Sequence, residues 1–172
     1  MDTALGNLEK YLSQNKKTIL EKWYDLILKT YPEETARFLR RNKDQFENPV
    51  GHDIREGIQG IYDGILQGSG DEKFYPFLDK IVRIRAVQDF SPSQAVAVIF
   101  FLKQVVREEL EEEITGGKIN LTELLVFESR VDKLALITFD IFMECREKLA
   151  EIRINEVKNR TYKLLQKANM IV

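Results

Sequence analysis

Between Ile81 and Val106 the sequence reads IVRIRAVQDFSPSQAVAVIFFLKQVV, and its polar members are the side chains best equipped for chemistry. Arg83, Arg85, Gln88, Asp89 and Ser91 crowd against the most apolar run of the chain. Arg85 and Asp89 stand four apart, so on a helix they can pair and pin a corner of the fold, while Arg83 points elsewhere. The alternative is that one arginine lines a pocket and receives an anionic ligand, or a partner's carboxylate, on its fork of N–H donors. Ser91-Pro92-Ser93-Gln94 has the composition of a helix start: a serine cap, a proline in the first turn, and a glutamine able to close a capping box. The Ser-Pro pair therefore marks a corner between two core helices.

A second candidate is His52-Asp53-Ile54-Arg55, near the expected start of another helix. The only histidine cannot build a multi-histidine metal site, and the only cysteine, Cys145, lies on an apolar stripe. The four residues resemble the phosphoacceptor box of sensor histidine kinases, in which a histidine followed by an acid opens a helix. A chain of 172 residues leaves no room for the kinase's ATP-binding domain. Three roles stay open for His52: surface hydrogen bonding or capping, phosphoacceptor, and haem ligand. Cys145 reads as a small core residue, with a redox-sensing thiol as the alternative. The acidic run Glu108 to Glu113 reads as a solvated helix face lacking the histidines of a di-iron bundle. Walker, GxGxxG and GxSxG patterns do not occur. The expectation is a non-enzyme with no metal and no cofactor.

The bulk numbers set the frame for these groups. A length of 172 residues suits one hydrophobic core. The formal charge of -2 creates no field that would draw the chain to nucleic acid or an anionic membrane. One cysteine cannot make an internal disulfide, and Met1-Asp2-Thr3-Ala4 is unlike a secretory signal, so a cytoplasmic location is expected. The longest apolar run, Ala95 to Leu102, is far short of the roughly 20 residues a bilayer span needs.

Apolar residues recur at spacings of three and four, which predicts an all-α, single-domain helical bundle. Helices are expected over 5–14, 16–30, Pro32 to about Phe46, 50–66, 71–88 with a disturbance at Pro76, and Pro92 to the Gly116-Gly117 break. Gly57, Gly60 and Gly64 recur on one helix, and close approach of a neighbouring helix would offset their cost of up to about 1 kcal/mol each. From Leu121 to about Ala168 no breaker occurs, which predicts one overlong final helix. Its apolar stripe runs to Leu149 and Ile152 and then thins to Val157, Leu164 and Leu165 among charged residues. The division expected is a helical sensory-type domain over 1–152 and a partner-facing or solvated extension of the last helix over 153–172.

Three segments, TYPEETARFLRRNKDQFENPVGHDIREG, IVRIRAVQDFSPSQAV and FFLKQVVREEL, resemble the N-terminal domain of the RsbRD-type RsbT co-antagonist proteins. The resemblance implies an all-helical sensory module of stressosome-related signal transduction, with a globin-like arrangement as one option and no enzymatic activity. It points to Arg83, Arg85, Gln88, Asp89 and Ser91 as the positions that matter for ligand or fold. Neither a STAS domain nor a kinase core follows in this sequence, so the output is expected on another polypeptide: a STAS-type protein, a kinase or a membrane-complex subunit. A homodimer is also expected. The competing reading is a globin-like carrier of a small molecule or redox cofactor, using His52 or a pocket near Arg83 and Arg85.

Overall fold

The computed structural model describes residues 5–41 and 44–168. Met1-Asp2-Thr3-Ala4 and the last four residues of the expected extension lie outside them. Among the described residues every regular element is helical: α1 (Asn7–Gln14), α2 (Lys16–Leu28), α3 (Glu33–Arg41), α4 (Pro49–Leu66), a 3-10 turn (Asp71–Lys73), α5 (Tyr75–Val87), α6 (Pro92–Glu109), α7 (Glu111–Thr115) and α8 (Leu121–Lys167). No described helix is long and apolar enough to cross a membrane.

Local chemistry accounts for where the elements begin. Asn48 caps α4 by accepting from the Gly51 amide, and Pro49 takes the first turn, where a missing N–H costs nothing. Both α6 and α8 open with complete capping boxes, Ser91 with Gln94 and Asn120 with Glu123. Three expected boundaries move by more than two residues. The third helix is described over Glu33–Arg41, the expected helical residues Asn42 and Lys43 lie outside the described residues, and Phe46, expected inside it, is 93% exposed in the turn before Asn48. Pro76 does not disturb a helix interior; the chain forms a separate 3-10 turn and α5 starts at Tyr75, with the proline in its first turn. The sixth helix ends at Glu109, and after the buried Leu110 the rest of the acidic run forms the short α7.

One cluster of buried apolar residues draws on every α-helix except α7, centred on Trp23, Ile61, Leu78, Ile99, Leu102, Phe127 and Val131. The Trp23 indole donates to the Val98 carbonyl at 2.7 Å, and the Tyr62 hydroxyl to Leu12 at 2.9 Å, so both polar tips are satisfied inside. The three α4 glycines meet α5 as the spacing implied: a Cβ at Gly57 would stand 2.9 Å from the Phe77 carbonyl oxygen, and at Gly60 or Gly64 it would enter the rings of Phe77 or Phe74. The first half of α8 packs on α5 and α6. Its pairing with α6 is antiparallel, because Lys103 reaches Asp132 at 2.9 Å and Arg107 reaches Glu128 at 2.6 Å.

Candidate functional site

Arg85 lies on the inner face of α5 and is 1% exposed. Its Nη2 donates to Thr30 Oγ1 at 3.0 Å and to the Gln94 carbonyl at 3.3 Å, tying the end of α2 to the first turn of α6. Its guanidinium lies over the Phe90 ring, 3.8 Å from the centroid, and 5.5 Å from that of Tyr31. These two rings meet edge to face at 5.3 Å. Nε and Nη1 of Arg85 and the hydroxyl of Tyr31 are buried without a hydrogen bond of good geometry, although the hydroxyl and the guanidinium lie near enough to interact. Burial lowers the Arg85 pKa, opposed by Tyr31, and raises the Tyr31 pKa, opposed by Arg85. A buried guanidinium with two poorly paired donors is expensive, and the cation–π contact and the bonds to Thr30 and Gln94 offset the cost.

The expected Arg85–Asp89 pair does not form. α5 ends at Val87, and the amide of Phe90 donates back to the Arg85 carbonyl at 3.2 Å, closing a Schellman-type turn with Asp89 in the left-handed position at φ 59°. Asp89 is the one non-glycine with positive φ among the described residues. That turn swings the carboxylate away from α5 and onto α8, where Arg146 Nη1 donates to it at 3.1 Å and to the Ala86 carbonyl at 3.2 Å. The contact that usually closes such a turn, between the residue after it and the helix's last turn, is here the Phe90 ring on Arg85. Arg83 sits on the outer face and pairs with Asp79, one turn earlier, at 2.9 Å. Gln88 is the exposed C-cap of α5, and Ser91 serves as the N-cap of α6. Sequence reasoning missed Thr30, Tyr31, Phe90 and Arg146, the residues that actually hold the corner. The Phe90 position two residues beyond a helix end was the available signal; Arg146, 57 residues away, had none.

His52 is on the half-exposed face of α4, 3.4 Å from Glu56, which also takes Lys80 at 2.6 Å. His52, Asp53 and Glu56 offer ligand atoms within 4.8 Å of one another. Lys80 also lies 3.9 Å from Asp53, so its ammonium supplies the positive charge that a metal would bring. The Glu56 carboxyl is held below its usual range by hydrogen bonding from Lys80. Arg55 stacks on Tyr24, 4.1 Å from the ring centroid, and borders a groove of about 480 Å³ with Leu20, Asp25 and Arg40. Cys145 is half-buried, and burial with neighbouring Asp79 pushes its thiol pKa up, away from a reactive thiolate.

Beyond this corner α8 leaves the body. Leu149 is half-buried, but Ile152 is 55% and Leu164 66% exposed, and from Ala150 to Lys167 only Leu165 is less than exposed. Arg146 therefore grips the α5–α6 corner one turn before the helix becomes free. The free portion extends roughly 27 Å at 1.5 Å per residue.

No solved structure matches the chain. An uncharacterised protein of Archaeoglobus fulgidus is 24% identical over 147 residues, spanning 83% of this chain and 84% of that one. The family model of the RsbT co-antagonist protein rsbRD N-terminal domain matches residues 17–157, from α2 through the corner into the free part of α8, and the chain belongs to that family.

Proposed function

We propose that the chain is a non-enzymatic signalling module whose last helix engages a separate output protein. The observation that carries this reading is the exposure of Ile152, Val157 and Leu164 on a helix that runs on past the core it is anchored to. An unsupported helix of about this length is marginal in water, so an apolar face on it is better explained by an occupant than by the monomer's own stability. Membership of a stressosome-related family supports the signalling role. Arg146 supplies the mechanical link: a change at the Arg85 corner acts on the Ala86 and Asp89 contacts, which fix where α8 departs.

The test is affinity capture from the host lysate with the full chain and with a chain ending at Ile152. The reading expects a protein recovered by the first and lost by the second. Identical recoveries would end it.

A further inference from the structure

We infer that the free half of α8 is built to pair with an acidic amphipathic helix rather than with a second copy of itself. This rests on the interaction reading above and adds the register and the partner's charge. Ala150, Ile154, Val157, Thr161 and Leu164 follow one another at spacings of four, three, four and three, the seam of a coiled coil. All five are exposed. Leu136 and Met143 continue the seven-residue row upstream, along the body's flank, and are exposed as well. A seven-residue apolar row on a free helix is the pattern that a left-handed partner helix covers.

The residues beside the seam decide the partner. One flank carries Arg153, Arg160 and Lys167, again seven apart and all exposed. The other carries Glu151, Lys158 and Leu165. In a parallel pair of identical helices, the Arg153 of one copy would face Lys158 of the other, and Arg160 would face Leu165, so only Glu151 finds an opposite charge, on Arg146. Arg146 is already engaged by Asp89. In an antiparallel pair the arginine flank faces itself. Both self-pairings put cation against cation, whereas a helix with glutamates at its flanking positions satisfies Arg153, Lys158, Arg160 and Lys167 together.

The probes are two synthetic helices with the same Ile/Leu seam, one flanked by Glu and one by Lys, titrated by fluorescence anisotropy into the full chain. Self-association is followed by sedimentation. The Glu-flanked helix is expected to bind about tenfold or more tightly than its twin at low salt, since several flanking pairs change sign together. The triple variant Arg153→Glu, Arg160→Glu, Lys167→Glu should reverse that preference. Val157→Asp with Leu164→Asp should abolish binding while leaving the melting of the body unchanged. Equal affinities for the twins, or no reversal, overturn the inference. A dimer in sedimentation that Val157→Asp with Leu164→Asp dissolves, with neither helix bound, overturns it while leaving α8 an interaction helix. Neither binding nor self-association brings down both readings.

Discussion

Replacing Arg85 by methionine should leave the protein as stable as before or more so, although Arg85 is among its most buried large side chains. Nε and Nη1 are two buried, poorly paired donors, each costing about 1–3 kcal/mol. Against that stand a desolvated cation–π contact of about 2 kcal/mol with Phe90, and charge-assisted bonds to Thr30 and Gln94 of about 1.5–3 kcal/mol each, the second of them long. The two donors cost about 2–6 kcal/mol and the contacts return about 5–8 kcal/mol, but taking the charge itself out of water costs several kcal/mol more, so Arg85→Met, which keeps the aliphatic volume, should fall within about 1 kcal/mol of the parent or above it. Arg85→Ala removes the same charge but leaves a void between α2, α5 and α6, and should lie about 2–4 kcal/mol below Arg85→Met. Urea midpoints of the three proteins measure both differences. If Arg85→Met were as unstable as Arg85→Ala, the guanidinium would be fully satisfied in the fold and the reasoning from its poorly paired donors would be refuted.

Three further outcomes follow from the same geometry. Asp89→Gly should equal or slightly exceed the parent in melting temperature, because relief of the left-handed strain, about 1 kcal/mol, outweighs an exposed pair with Arg146 of about 0.2–1 kcal/mol; Asp89→Ala keeps the strain, loses the pair and should melt lower. Gly57→Ala should cost about 1–2 kcal/mol by chemical denaturation, since its Cβ meets Ile81 and the Phe77 carbonyl, while Gly70→Ala, which meets nothing, should be neutral. Burial raises the Tyr62 pKa far above its usual value, with Asp63 adding to it. The stability from keeping Tyr62 neutral is complete below about pH 10 and drains away as pH rises beyond it, because the unfolded tyrosine ionises first. Thermal melts should therefore drop above pH 10, and drop less steeply in Tyr62→Phe, which at neutral pH loses about 1 kcal/mol with its bond to Leu12.

The elements that were legible in the sequence are those whose boundaries rest on local chemistry. Ser91-Pro92-Ser93-Gln94 announces α6, and Asn120 or Thr122 with Glu123 announces α8, of which Asn120 is the cap, because a capping box needs only residues three apart. The unbroken α8 was legible from the lack of glycine and proline after Leu121. The close α4–α5 contact could be inferred from three glycines whose cost needed an offset. The corner's true wiring could not be read in the same way. A spacing of four suggested Arg85 with Asp89, but that rule applies only inside a helix, and the chain turns left-handed at Asp89. Arg146 and Thr30 reach the corner from distant positions, so no local pattern carries them. His52 stands on the half-exposed face of α4, 3.4 Å from Glu56 one turn on. The seam on α8 was masked because the core-facing stripe of Phe127, Val131, Leu134 and Phe142 dominates the same helix, and the exposed row lies on a different flank.

The most direct test of the account leaves the chain whole and changes only the seam. The full-length protein and its Val157→Asp, Leu164→Asp variant are each captured from the host's lysate, after equal melting temperatures establish that the body is intact. Quantitative mass spectrometry then compares the recovered proteins. At least one protein should be strongly depleted by the two substitutions and restored by neither higher bait nor lower salt. Unchanged recovery would contradict it, because the exposed apolar row of α8 would then have no partner to lose.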